Sequence, residues 1–537
     1  MKKADFLNYP FNSQRNTVFA RNGIVATSQP LAAQAGLRIL QKGGNAIDAA
    51  IATAATLTVV EPTSNGIGGD AFSIVYHNGK LSGINGSGRS PKSISAKKLR
   101  DKGLEKMKKF GWLPVTTPGV PGTWAALSER YGRLDFEELF EPAVEYAQKG
   151  YPITPTLGYY WNRAYKAYKK NLDGEEFENW FKTFAPKGRA PKIGEMWKSE
   201  DHASTLKEIA ETKADSFYSG KIADEIAAFS NKFDGYLSKE DLASFEVEWV
   251  DPIKVKYKGY DVWELPPNGQ GLSALMALGI LNKFDFHEKE NVESYHKQIE
   301  AMKLAMTDGK TYITDIDEMT YKVEELLAED YLDKRRKLIS DQAISPEPGK
   351  PEKGGTVYLA AADGEGNMIS YIQSNYMGFG SGLVVPERGI ALQNRGHLFS
   401  LDEDHDNVLK GGKKTYHTII PAFLTKDDKA VGPFGVMGGY MQPQGHLQVA
   451  MNTIDFNLNP QAALDAPRWQ WMDDKKVIVE KDFPTNIAKQ LANRGHDIEV
   501  KLNSGAFGRG QIIWRDNENG VLRAGTEKRT DGNIASY

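Results

Sequence analysis

A threonine directly after two glycines, at the mouth of an apolar strand, is an arrangement from which a chain can build its own nucleophile. Thr356 follows Gly354 and Gly355 and opens the run Thr-Val-Tyr-Leu-Ala-Ala-Ala. If the Gly355–Thr356 bond is cut, Thr356 gains an α-amine with an ordinary pKa of about 7.7–8, able to take the proton of its own hydroxyl without a histidine. Glycine at 355 tolerates the strained backbone that lets the hydroxyl reach the preceding carbonyl. The strand turns through Asp363-Gly364-Glu365-Gly366-Asn367 and returns as Met-Ile-Ser-Tyr-Ile-Gln-Ser, ending at Ser374. A hairpin centred on Glu365 sets Thr356 opposite Ser374 on one side of the sheet. Other chemistries have little support. HExxH, GxSxG, Walker A and GxGxxG are all absent, and the nine histidines are scattered without a paired metal-ligand spacing. Ser95-Ala96-Lys97-Lys98 spells a serine–lysine motif but reads better as a solvated helix start.

The elements that must hold this hairpin are legible in outline. Ser28 is a candidate N-cap for a helix with Pro30 in its first turn, and Gly43-Gly44 stops it. A small-residue helix is expected from Ala46 to about Val60, then a turn-rich loop from Glu61 to Gly69. A strand from Phe72 to Tyr76 follows, with a hairpin at His77-Asn78-Gly79. The chain is mainly helical and amphipathic from about Leu127 to Asp330, with strands inside Ile253–Leu265 and a loop at Pro267-Asn268-Gly269-Gln270-Gly271. Ser345 to Gly355 holds three prolines, three glycines and four charges, the composition of an extended linker. Strands and glycine-rich turns dominate after it. No repeat of fixed period stands out. The pattern favours a layered sandwich over a regular βα barrel.

Composition excludes several functions. The 537 residues are 40% hydrophobic and 26% charged, as in an ordinary globular chain, with 67 basic against 70 acidic residues. That balance gives no global attraction to nucleic acid or acidic membranes. The chain has no cysteine, which removes disulfides, thiolate metal sites and a cysteine nucleophile together. The N-terminus lacks an apolar signal core and no run approaches a membrane span, so a cytoplasmic protein is expected.

From Ile24 to its end the sequence resembles the γ-glutamyltranspeptidase family, which includes glutathione hydrolases and related cephalosporin acylases. The resemblance is carried by Gly43-Gly44-Asn45-Ala46-Ile47-Asp48-Ala49-Ala50, Gly66-Ile67-Gly68-Gly69-Asp70, Gly88-Arg89-Ser90-Pro91, Pro118-Gly119-Val120-Pro121-Gly122 and Pro267-Asn268-Gly269-Gln270-Gly271. Phe379-Gly380-Ser381-Gly382, Pro421, Gly438-Gly439 and Ala466-Pro467-Arg468 continue it in the family's order. It implies an α+β fold, the four-layer αββα sandwich of the N-terminal nucleophile hydrolases. It also implies a precursor that cuts itself before a threonine, here between Gly355 and Thr356. Residues 1–355 then form a large-subunit part and 356–537 a small-subunit part, one folded heterodimer from a single precursor, with further dimerisation open.

Carried over by position, Thr356 matches the nucleophile and Ser374 the second hydroxyl that orients it. Gly438 and Gly439 match the paired N–H donors of the oxyanion hole, and Arg89 the arginine that clamps a substrate α-carboxylate. His417-Thr418 stand where relatives carry a Ser-Ser pair. Tyr376 and Arg395 stand, with Leu398, where relatives hold the α-ammonium. Arginine is unsuited to a cation and would instead suit a second carboxylate. The stretch to His417, eighteen positions after Phe399, is shorter than the family's usual lid and carries Asp402, Glu403, Asp404 and Asp406. The implied activity is threonine amide hydrolysis and acyl transfer on γ-glutamyl, glutathione-like amides, tilted toward hydrolysis, with no metal or organic cofactor. The alternatives are a glutaryl or cephalosporin-type acylase for dicarboxylic acyl amides, and an unprocessed relative that only binds. The expected partners are such small amides, with no nucleic acid and no membrane.

Overall fold

In the computed structural model, which describes residues 15–346 and 356–537, the hairpin is the centre of a seven-stranded sheet. Its strands are Val357–Asp363 and Met368–Ser374, and the register runs from Val357 opposite Gln373 to Ala362 opposite Met368 without a bulge. Thr356 and Ser374 therefore face each other across the pair. Asp363 makes the turn. Its carboxylate accepts from the N–H groups of Glu365 and Asn367, and also from the Ala46 N–H at the start of the helix Ala46–Val60. One side chain thus closes the hairpin and caps the helix packed on it.

Every residue of both strands is buried, because the sheet is covered on two faces. Val357, Leu359, Ala361, Ile369 and Tyr371 point into a helical layer that includes the wholly buried helix Ala46–Val60. Tyr358, Ala360, Ala362, Met368 and Ile372 point the other way, against Phe423, Met437 and Ile513 of a second seven-stranded sheet. The alternation is the two-residue period of a strand. Helices Gly271–Leu281 and Met441–Ile454 cover the outer face of that second sheet. The result is the expected α+β sandwich, in the order helix, sheet, sheet, helix.

Both sheets draw strands from each side of the 355/356 boundary. Gly23–Thr27 and Asp70–His77 flank the hairpin, while Tyr260–Glu264 pairs with Ala422–Lys426. Differences from the sequence reading are local. Helix Pro30–Gln41 is capped by Gln29, whose amide oxygen accepts from Leu31 and Ala32, while the Ser28 hydroxyl bonds the Glu61 carboxylate instead. A serine next to a buried carboxylate is better used on that acceptor. Ser95 caps the helix Ala96–Asp101 through the Lys98 N–H, as the helix-start reading requires. The strand read over 72–76 runs from Asp70 to His77. Gly355 and most of the linker lie outside the described residues. Among the described residues no helix is long and apolar enough to cross a membrane.

Candidate active site

The Thr356 hydroxyl lies 3.2 Å from that of Ser374, and both residues are almost completely buried. The Ser374 oxygen also accepts from the Tyr376 N–H at 2.8 Å, which fixes its rotamer. Gln442, in the first turn of helix Met441–Ile454, brings its Nε2 to 3.5 Å from the Thr356 oxygen. Its Oε1 is held by the Ile420 N–H. Gly438 and Gly439 sit at the end of strand Lys429–Met437, immediately before that helix, with φ of 140° and 60°. A φ of 140° is open to glycine almost alone, and a Cβ on Gly438 would also approach the Gly508 Cα to 3.0 Å. Gln270 braces this corner, donating to the carbonyls of both Thr418 and Gly439.

On the neighbouring strand Asp70 is the partner of Ser374. It opens a buried charged cluster. Arg395, 1% exposed, donates from Nη1 to the Thr418 hydroxyl at 2.7 Å and stacks over the Tyr376 ring at 4.6 Å. Its Nε is 3.7 Å from the Asp70 carboxylate, beyond hydrogen-bond distance, and its Nη2 has no hydrogen-bond partner among the described residues. His417 Nε2 is 3.1 Å from the same carboxylate, and its Nδ1 accepts from the Ile419 N–H. Burial holds His417 well below its usual pKa, so it is neutral with the proton on Nε2. Burial pushes Asp70 up to about 7 despite Arg395 beside it, and lowers Arg395 to about 10. Gly69 lets this strand approach, since a Cβ there would stand 2.7 Å from the Ser374 carbonyl.

Of the residues singled out in the sequence, Thr356, Ser374, Tyr376, Arg395, His417 and Thr418 thus fall in one contact network. Gly438 and Gly439 join it through Gln270. The Arg89 side chain makes its ion pairs outside this network: it is 44% exposed and paired with Asp315 at 2.7 Å and Glu248 at 3.1 Å. Sequence reasoning missed Gln442 and Asp70 as participants. It also missed Asn375, fully buried with neither end of its amide hydrogen-bonded among the described residues. Asp70 had a signal, as the last residue of a glycine-rich block; Gln442 had none.

A cavity of about 320 Å³ adjoins the network through Met377 and Gly438. A larger one, about 810 Å³, is lined by Glu208, Glu225 and Arg388 and shares no residue with the nucleophile's surroundings. His296, Glu300 and His496 are close enough together to hold a metal ion. The Lys303 ammonium already sits 2.7 Å from Glu300 and 3.5 Å from His496, filling the place of a cation.

Comparison with known proteins gives concordant matches. The family described as gamma-glutamyltranspeptidase matches residues 32–537. The "Glutathione hydrolase-like YwrD proenzyme" of Bacillus subtilis is 34% identical over 96% of this chain and 98% of its own length. The "Oxamate amidohydrolase proenzyme" of Klebsiella pneumoniae is 31% identical over 96% of this chain and 98% of its own. Among solved structures, a cephalosporin acylase from Bacillus halodurans superposes with a TM-score of 0.97 at 61% identity, covering 99% of both chains.

Proposed function

The chain belongs to the γ-glutamyltranspeptidase family and is an amide-hydrolysing enzyme of it, and we propose that it cleaves amides whose acyl group ends in a carboxylate and lacks an α-ammonium, as a glutaryl group does. The observation that carries this reading is Arg395: a buried guanidinium, joined to Thr418 and 3.7 Å from Asp70, the strand partner of Ser374, with Nη2 unpartnered among the described residues. A buried donor without an acceptor is costly and is satisfied by a ligand carboxylate. The structural similarity to a cephalosporin acylase supports the same reading.

In the proposed mechanism the precursor cuts itself before Thr356, as the proenzyme names of its relatives suggest. The freed amine takes the Thr356 hydroxyl proton, and the oxygen attacks the substrate carbonyl. Ser374 orients that oxygen, and the N–H groups of Gly438 and Gly439 receive the developing oxyanion. The C–N bond breaks, the proton passes to the leaving amine, and water hydrolyses the Thr356 ester. The segment after Phe399 packs Leu401, Val408 and Leu409 onto Ile94 and Leu99 in a small core of its own. A segment anchored in this way, and short, supports a reading of hydrolysis over transfer to a second amine.

A second reading, γ-glutamyl amides, has one observation in its favour. Asp70 Oδ1 is buried without a hydrogen bond among the described residues and would accept an α-ammonium. Rates on glutaryl and γ-glutamyl p-nitroanilide from one processed preparation separate the two. A glutaryl preference is expected, and a γ-glutamyl preference would overturn the assignment to Arg395.

A further inference from the structure

The 320 Å³ cavity reaches the glycine pair through Gly438 and has none of the acyl-end residues Arg395, His417 and Thr418 in its lining, and we propose that it is the leaving-amine subsite, shaped for a flat aromatic amine that carries a carboxylate read by Arg163. The proposal rests on the acyl-group reading above, which assigns the acyl end to Arg395 and so leaves this cavity to the amine.

One wall is the helix Pro155–Asn171, which turns Tyr160, Arg163, Ala164, Ala167 and Tyr168 into the cavity. That spacing is a single helix face, and the two alanines leave a slot between the aromatic rings. Trp471 stands in the lining with them, and Met377 and Gly438 join the cavity to the nucleophile's surroundings. For a scissile carbonyl held by Gly438 and Gly439, the slot is thus a neighbour built from residues other than those of the acyl cluster.

Its charge is one-signed. The lining contains two arginines and no acidic residue. Arg509 is committed, stacked over Tyr160 at 4.3 Å and 3.6 Å from the Glu61 carboxylate. Arg163 is exposed and, among the described residues, makes no ion pair or hydrogen bond. An apolar slot of ligand size with one uncommitted guanidinium at its rim selects an anionic aromatic over a neutral one. Exposure keeps the effect modest and sensitive to salt.

The test uses a matched pair with the same acyl group: the glutaryl amides of 6-amino-2-naphthoate and of 2-naphthylamine. Arg163→Glu should raise KM for the carboxylated amide about tenfold at low salt, and change the neutral one less than about twofold. The difference should shrink in high salt, and self-cleavage should proceed as in the wild type. Ala167→Trp should raise KM for both naphthyl amides while sparing glutaramate, the glutaryl monoamide whose leaving group is ammonia. Binding of free 6-amino-2-naphthoate, read by its fluorescence, needs no acyl chemistry and should weaken in Arg163→Glu. Equal changes on both amides, or none, would overturn the proposal, as would equal binding of the two free amines. If only γ-glutamyl amides are hydrolysed, the acyl reading falls, and the same amine pair is compared on that acyl group.

Discussion

The two ends of the site are built from different physics. At the nucleophile, Thr356, Ser374, Gln442 and the glycine pair carry no net charge, and their placement follows from one hairpin register and one strand-to-helix corner. At the acyl end, Asp70, Arg395 and His417 are charged or chargeable groups buried together; burial shifts all three, Arg395 lowers the proton affinity of both Asp70 and His417, and Asp70 raises that of Arg395. The first end needs geometry that is indifferent to pH, apart from the free amine. The second exchanges stability for recognition, since its unpartnered donors await a ligand. Catalysis and specificity should therefore be separable by mutation.

The largest effect tests the nucleophile. Thr356→Ala should leave one intact chain of 59.6 kDa on a denaturing gel and reduce hydrolysis by at least about 10³-fold. Normal hydrolysis by an uncleaved chain would break the amine mechanism. Next is the corner: Gly438→Ala adds a Cβ at a φ of 140° and should lower kcat about 10²–10³-fold with little change in KM. At the acyl end, Arg395→Lys keeps the charge but loses the planar fork. KM for a glutaryl amide should rise about 10–100-fold while self-cleavage continues. A parallel loss of processing would mean the two ends are one structural unit after all.

The same division explains what could be read from the sequence. Strand parity and a turn centred on Glu365 are local properties, so the Thr356–Ser374 pairing follows from counting residues, and the structure has that register. The sandwich is legible from the order of helical and strand-rich stretches and from the family resemblance, and the first hairpin strand, Val357–Asp363, shows why: its apolar run is covered on two faces. Arg89 and Arg395 show the limit. Both are arginines at marked positions, yet one side chain turns out to Asp315 and Glu248 and the other is sealed against Tyr376 and Thr418. Which occurs depends on chain segments hundreds of residues apart, and no local pattern encodes it. Gln442 is invisible for the same reason: it is an ordinary helix residue until the fold brings it to Thr356.

The smallest effect is the most discriminating, because it turns on the sign of one charge. Asp70 is pushed up to about 7, His417 stays neutral, and Arg395, at about 10, stays charged through neutrality. Within the cluster Asp70 is thus the group that titrates near pH 7. Below that pH it is neutral and the guanidinium faces a substrate carboxylate uncompensated. Above it, an anion beside Arg395 weakens the attraction. KM for a glutaryl amide should therefore rise a few-fold as pH passes upward through about 7, whereas KM for a γ-glutamyl amide, whose ammonium the Asp70 carboxylate attracts, should fall. Dividing by KM for a butyryl amide, which has no acyl charge, cancels the titration of the threonine amine. The stability sign agrees: a carboxyl raised in the folded state favours folding most below its unfolded pKa of about 3.9, and that contribution is lost as pH rises through about 7. Asp70→Asn should flatten both the KM ratio and the pH dependence of the urea midpoint over this window. A KM ratio that still bends near pH 7 in Asp70→Asn would assign the titration to another group and remove Asp70 from the recognition of the acyl end.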